Sequence, residues 1–263
     1  MSSEMTSSQI KDFYERVDRT RDYTIEVAAA DHSFYPILQG FLERWYLREK
    51  RCLEIGSAKG LFQDLVDDYT GVDIAESLRP YYRKPYITVK DERLPFSDDS
   101  FDGIFTYATH EHIPELELAL AEIIRVLKPG GVCLFAPAWH TRAWFAQGYA
   151  VRPYSDLSVR ERIIKFSIPV RNFFLLRWLF VLLRRIFRLF LYLVSPHPVP
   201  LRCRKLKANY DKFWQSDSDA CKSLDPFDII LWFRSRKCVC YGYQNLFKAL
   251  FVRALALELQ KLS

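Results

Sequence analysis

Between residues 51 and 137, short apolar runs alternate with stretches of helical spacing, and this alternation constrains the fold more than any other feature of the chain. The runs RCLEIG, YTGVDIA, YITVKD, SFDGIFTYA and VCLFAPA are too short for helices and read as buried strands. GLFQDLV, after the first run, reads as a helix. Residues 114–127 place Leu116, Leu120, Ile123, Ile124 and Leu127 at helical spacing, before Lys128-Pro129-Gly130-Gly131 stops the helix and turns the chain. Alternation of this kind implies a parallel sheet with right-handed crossovers.

The flanks complete the pattern. Residues 1–47 read as two helices with a break near 30–33, the second over 34–46. The sheet resumes near the C-terminus, where 225–236 reads as a helix and CVCYGY and ALFVRALALELQ read as strands. The expected fold is α/β: a mostly parallel seven-stranded sheet with helices on both faces. Residues 139–224 form an insertion after the fifth strand. At 263 residues the chain can bury one full core, so a single domain over 1–263 is expected.

Six cysteines include no CxxC pair, and Cys52 and Cys133 fall inside strand-like runs. This favours reduced thiols over a disulfide framework or a zinc site, and no metal is expected. The polar segment MSSEMTSSQIKDFYERVDRTRD has no apolar core of a secretory signal, which points to a cytoplasmic protein. The net charge of +6 is unevenly spread. Residues 160–207 hold twelve Lys or Arg against the single acid Glu161, or +11, leaving about −5 for the rest. Such asymmetry points to an anionic partner at one face.

The chemistry-bearing segment is Glu54-Ile55-Gly56-Ser57-Ala58-Lys59-Gly60, between a strand and an expected helix. Glycine there lets the backbone approach a ligand, and a helix N-terminus beyond it would offer unpaired N–H groups. A dinucleotide fingerprint starting at Gly56 would need glycine at 58 and glycine or alanine at 61. Ala58 and Leu61 stand there instead, so a nicotinamide-type oxidoreductase is disfavoured. Asp73 closes the second strand, where an acid can hold both ribose hydroxyls; capping the following helix is the plainer alternative.

LEIGSAKG, GVDIAESL, DERLPFSDDSFDGIF and HEHIPELELALAEIIRVLKPGG occur in order over 51–137. Together they resemble the class I S-adenosylmethionine-dependent methyltransferases of the ubiquinone-biosynthesis type, which have a Rossmann-like fold. The resemblance implies S-adenosyl-L-methionine as cofactor, bound by residues 48–138. Gly56, Ser57 and Gly60 would bracket its methionine part, with Glu54 supporting the loop. Asp73 would hold the ribose, Ile74 would pack on the adenine, and Asp91 or Glu92 would address the adenine amino group. Tyr107 would close over the cofactor. Methyl transfer of this kind needs an aligned nucleophile. A base helps for an oxygen nucleophile, and His110 and His140 are the candidates, with wall-lining as their alternative role. His112, within Glu111-His112-Ile113-Pro114, reads as structural.

The insertion carries IIKFSIPVRNFFLLRWLFVLLRRIFRLFLYLVSPHP, whose arginines leave no uncharged span long enough for a transmembrane helix. On one helix over 164–195, Arg177, Arg184 and Arg188 fall within about 40° of one another and Arg185 lies about 60° further round. Such a stripe could meet the phosphates of an anionic membrane surface, placing the protein peripherally on the inner face. The helix could equally cap its own cleft or form a dimer contact. Its aromatics sit among Leu and Val rather than polar residues, which disfavours nucleic acid. The downstream segments also resemble bacterial methyltransferases associated with surface-polysaccharide loci. This implies a small-molecule, glycan or lipid-linked acceptor, with O-methylation expected. A non-catalytic methyltransferase-like protein acting as a membrane-associated binding partner is the rival reading.

Overall fold

The computed structural model describes residues 7–20, 28–90, 92–212 and 214–262. The expected strands are present: β1 (Arg51–Ile55), β2 (Asp68–Asp73), β3 (Tyr86–Thr88), β4 (Phe101–Tyr107), β5 (Leu127–Ala136), β8 (Cys238–Cys240) and β9 (Leu257–Lys261). They form one sheet in the order β3-β2-β1-β4-β5-β9-β8. Two short strands of the insertion, β6 (Arg204–Lys205) and β7 (Lys222–Ser223), pair separately. In the main sheet the first five strands are parallel, and β9 runs antiparallel to both β5 and β8. The chain winds outward from β1 to β3 and then returns to place β4 on the other side of β1. The carboxyl ends of β1 and β4 therefore flank a topological switch point, where open α/β sheets bind ligands. The fold is α/β and Rossmann-like, as expected.

Alternation along the strands divides the core. Leu53, Ile104, Cys133 and Phe135 pack on one face with Leu120 and Ile123 of α3 (Leu116–Val126) and with Phe227 and Ile230 of α6 (Pro226–Arg234). Cys52, Phe105, Val132 and Leu134 point the other way, onto Leu38, Phe41 and Leu42 of α2 (Tyr35–Arg44). Period-two alternation with apolar residues on both faces is what a fully covered sheet requires.

Three local expectations are corrected. GLFQDLV is not an α-helix; the link from Ile55 to Asp68 is made of turns with one 3-10 turn at Gln63–Leu65. Gln63 is buried and ties this link to the next, donating to Tyr81 O and accepting from Arg83 N and Lys84 N. Lys128–Gly131 lies within β5 rather than before it. The register jumps from Phe101 opposite Leu127 to Gly103 opposite Val132, and Gly130 at φ +79° lets the excess chain loop out. ALFVRALALELQ is not one strand. Asn245 caps the short helix α7 (Leu246–Leu250), and pairing starts only at Leu257. A continuous apolar run does not by itself separate strand from helix.

The insertion holds two helices rather than one. A capping box of Ser158 and Glu161 starts α4 (Val159–Asn172), and Phe173 breaks it from α5 (Phe174–Val194). The arginine stripe exists, but it faces inward. Arg185 is 4% exposed and grips Asp225 through Nε and Nη2, the latter at 2.8 Å, while its Nη1 donates to Leu250 O and Val252 O. Arg184 also pairs with Asp225, and Arg188 Nε lies 3.6 Å from Asp228. These three arginines are therefore engaged by the protein's own acids and do not present their charge to lipid phosphates, contrary to the expectation from their spacing. Of the four, Arg177 is exposed.

Asp225 also caps α6 by accepting from Phe227 N. Burial pushes its pKa up, but Arg185 and Arg184 outweigh that and hold the carboxyl below its ordinary range. Asp225→Ala strands a buried guanidinium and removes a cap, so it should cost about 3–5 kcal/mol in urea unfolding followed by circular dichroism. A loss below about 1 kcal/mol would show that the hairpin is held by its apolar contacts alone.

Candidate active site

At the switch point the chain leaves β1 through backbone conformations open to few residues. Gly56 and Gly60 have φ of +70° and +66°. A Cβ on Gly56 would stand 2.0 Å from Thr109 Oγ1, and one on Gly60 would stand 2.7 Å from the Tyr82 ring. Both glycines are required by sterics as well as by dihedral angle. The loop is closed mainly onto the end of β2: Gly56 N and Ser57 N donate to Val72 O, Ala58 N to Asp73 Oδ2 at 2.9 Å, and Gly60 N to Ser57 O within the loop. The expected helix N-terminus with unpaired N–H groups is not formed here.

A cavity of about 450 Å³ opens here, within the range of small-molecule sites. Its wall brings together Glu54, Gly56, Ser57, Asp73, Ile74, Glu92, Tyr107 and His110 from the residues singled out in the sequence. Gly60 does not line it and instead seats the loop against Tyr82. Asp91 lies outside the described residues. His140 does not line the cavity either. It takes a left-handed turn at φ +58°, donates from its backbone N to Leu224 O, and lies among Asp225 and the arginines. The structure thus separates the two candidate histidines.

The groups at the wall are preset. Asp73 Oδ1 accepts from Ile74 N at 2.7 Å and Ala75 N at 3.4 Å, which fixes its carboxylate at the end of β2. Glu54 is buried and accepts from the Tyr69 hydroxyl. Burial raises its pKa to about 8, against the lowering effect of that bond and with help from the charge of Asp73. Tyr107 stacks on Phe34 at 4.6 Å between ring centres and meets His32 edge-on at 5.2 Å. His110 is 1% exposed; burial drives its pKa down to about 3, so the ring is neutral, with Nδ1 3.1 Å from Thr106 Oγ1. Its Nε2 is buried without a hydrogen-bond partner.

The wall also carries polar residues that were not assigned a site role from the sequence, among them Tyr14, His32, Lys59, His112 and Asp219. Lys59 lies 4.6 Å from the centre of the Tyr81 ring. Tyr14 comes from α1 (Ser7–Thr20) and donates to Asp219 Oδ2 at 2.6 Å. Asp219 is fully buried and lies 3.0 Å from His112 Nδ1, while His112 Nε2 is 3.6 Å from Glu111 Oε1. Asp217 joins this group: one oxygen each of Asp217 and Glu111 and a nitrogen of His112 all lie within 4.8 Å of one another. No spacing in the sequence joins residues 14, 112 and 219; only the fold does.

Such a cavity, at the switch point of a parallel sheet and between a glycine turn and a strand-end acid, defines a Rossmann-like domain for a nucleoside-containing cofactor. Residues 53–135 match the family model described as Methyltransferase domain, so this part of the chain is a class I S-adenosylmethionine-dependent methyltransferase domain and implies S-adenosylmethionine as methyl donor. A phthiotriol/phenolphthiotriol dimycocerosates methyltransferase of Mycobacterium tuberculosis (strain ATCC 25618 / H37Rv) is 33% identical over 103 residues, covering 35% of this chain and 38% of the relative. A demethylmenaquinone methyltransferase of Desulfitobacterium hafniense (strain Y51) is 35% identical over 92 residues, covering 30% and 36%. The chain thus spans well under half the length of these two curated relatives. Among solved structures, an S-adenosylmethionine-dependent methyltransferase from Mesorhizobium loti aligns with a TM-score of 0.39 at 17% identity, over 45% of this chain and 58% of that one.

His112 joins this domain to the insertion, because Glu111 O also accepts from Cys221 N. Burial lowers the His112 pKa, but the charge and hydrogen bond of Asp219, then Glu111 and Asp217, raise it from 6.5 to about 9. Because the folded-state value lies above the unfolded one, the stabilisation is full below about pH 6.5 and fades as pH rises through about 9. His112→Gln should therefore lower Tm near pH 6 by about 4–8 °C, and the gap to wild type should close by about pH 10. A gap that stays constant from about pH 6 to 10 would assign the loss to packing rather than to charge.

Proposed function

We propose that the whole chain is an S-adenosylmethionine-dependent methyltransferase that methylates an oxygen of a small-molecule, glycan or lipid-linked acceptor. The observation that carries this reading is the continuous cavity joining the glycine turn and Asp73 to Tyr14, His112 and Asp219. One side of it suits the donor and the other supplies polar groups for an acceptor. The relatives' names, which specify dimycocerosates, demethylmenaquinone and, for an Arabidopsis thaliana protein 50% identical over 40 residues, 24-methylenesterol, favour an acceptor with a large apolar part. Work in the cytoplasm, peripherally at the inner membrane face, accords with such an acceptor.

The residues present fit the donor. Asp73 would hold the ribose hydroxyls, with its carboxylate oriented beforehand by three backbone N–H groups. Ile74, Val89 and Leu94 give an apolar slot for the adenine, and Glu92 stands at the same wall for its amino group. Ser57 and Gly56 face the methionine part, and the Lys59 ammonium would balance its carboxylate. When bound, the donor supplies an already activated methyl group, so the protein's task is alignment and exclusion of water.

On the acceptor side, Tyr14, His110, His112 and Asp219 are polar side chains that would orient a hydroxyl. His110 stays neutral over the working pH range and is a weak base at a pKa of about 3, so it contributes more through placement than through proton removal. His140 has no part in this arrangement. The rival reading, a non-catalytic membrane-associated binding partner, is placed second because the cavity wall carries polar groups beyond those the donor needs.

Calorimetric titration with S-adenosylmethionine, S-adenosylhomocysteine and NAD tests the donor assignment. The first two should bind saturably and NAD should not. Asp73→Ala should weaken donor binding by about 1.5–3 kcal/mol, the scale of charged hydrogen bonds. Absence of binding to folded wild-type protein would put the binding-partner reading first, and unchanged affinity in the variant would remove Asp73 from the site.

A further inference from the structure

The α4–α5 hairpin carries the most unusual surface of the molecule. Residues 170–180 are exposed without interruption, and they include Phe173, Phe174, Leu175 and Leu176. On α5, Phe180, Leu183, Phe187 and Phe190 are all more than half exposed. They follow one another at three- and four-residue steps, so they share one side of the helix. The opposite side is the arginine stripe bound to Asp225 and Asp228. Helix α7 packs against α5 and extends the apolar surface with Phe247 and Phe251, 73% and 56% exposed. Contiguous apolar surface on this scale marks an interaction site.

The charges around the patch decide its occupant. Apart from Glu161, held by Ser158 in the capping box at the start of α4, no Asp or Glu occurs between residues 157 and 210 or between 245 and 257. The charged groups that interrupt the apolar side chains are cationic: Arg171, Arg177, Lys248, and Arg253, whose guanidinium lies 5.4 Å from the Phe174 ring centre. A second copy docked by a two-fold axis would set these cations against their equivalents with no acid to balance them. An anionic lipid surface balances them with phosphates and takes the aromatic and aliphatic side chains into its acyl boundary. No helix among the described residues is long and apolar enough to cross a membrane, so the hairpin would lie in the interface.

We infer that the outward side of α4, α5 and α7 is an insertion face for an anionic bilayer, with Arg184, Arg185 and Arg188 acting as internal anchors that set its orientation. This goes beyond the methyl-transfer reading and does not depend on it, since no residue of the face lines the donor cavity. It also inverts the arrangement suggested by the arginine spacing. Apolar side chains enter the lipid, and the phosphates are met by the flanking Arg171, Arg177, Lys248 and Arg253.

Co-sedimentation of the full chain with phosphatidylcholine vesicles, with and without phosphatidylserine, tests the inference. Binding should favour the vesicles that contain phosphatidylserine. F180E/F187E should lower it by roughly tenfold or more, and R171Q/R177Q should reduce the preference for phosphatidylserine. These side chains are exposed, so thermal unfolding should be unchanged, and donor titration of the same samples keeps a failure here apart from a failure of the enzymatic reading. Two results would overturn it: wild type that does not sediment with either vesicle, or a stable dimer by light scattering that F180E/F187E converts to monomer without any vesicle binding.

Discussion

A guanidinium removed from water must find a carboxylate and further acceptors, and the pairing of Arg185 with Asp225 meets that demand at the junction of three elements. Arg185 belongs to α5, Asp225 begins α6, and the two carbonyls that complete the guanidinium's bonds end α7 and the turn after it. Removing either charge would leave the other buried, so the helices are fixed relative to one another more firmly than apolar packing alone would require. The direction in which the hairpin faces follows from this one contact. With the arginines turned toward α6, the aromatic residues are left outside.

A second buried charge does similar work at the cavity. His112 stands between Asp219 and Glu111, one from the insertion and one beside it in the chain, and Tyr14 reaches Asp219 from the N-terminal helix. Three segments distant in sequence thus meet at one side of the wall, whereas the side at the glycine turn comes mainly from the stretch between β1 and β4. The two sides differ in origin, one built largely from local sequence and the other only by the tertiary fold.

The same difference explains what could be read from the sequence. Strands β1 to β5 are continuous apolar runs, and their order follows from short crossover connections, so the sheet and its switch point were legible. The positions of Gly56 and Asp73 after β1 and at the end of β2, both on the cavity wall, were legible for the same reason. The helix expected after Gly60 was not formed, because apolar spacing in GLFQDLV does not register how little chain lies between Ile55 and Asp68 for the whole return. Tyr14 and Asp219 had no legible signal, since nothing local marks a residue that meets its partner 205 positions away. The arginine spacing correctly placed a stripe on one side of a helix but carried no information about which side would be buried. Asp225 and Asp228 settle that, and they lie far downstream, beyond the end of the hairpin.

The missing helix has a consequence for how the site handles charge. In many α/β domains the N-terminal turn of the helix after β1 presents free N–H groups and a positive dipole end to an anionic ligand group. Here the N–H groups of Gly56, Ser57 and Ala58 are engaged by Val72 O and the Asp73 carboxylate at the end of β2, and that of Gly60 by Ser57 O, and the link continues through a single 3-10 turn too short to sum a dipole. Positive charge at this wall is carried by side chains: Lys59, set within the glycine turn and over Tyr81, and Lys90 both line it. The glycine turn thus keeps its steric character, leaving the backbone open at the cavity, while the charge at the wall is carried by lysine side chains. A compact link between β1 and β2 and a side-chain counter-charge are two aspects of one arrangement.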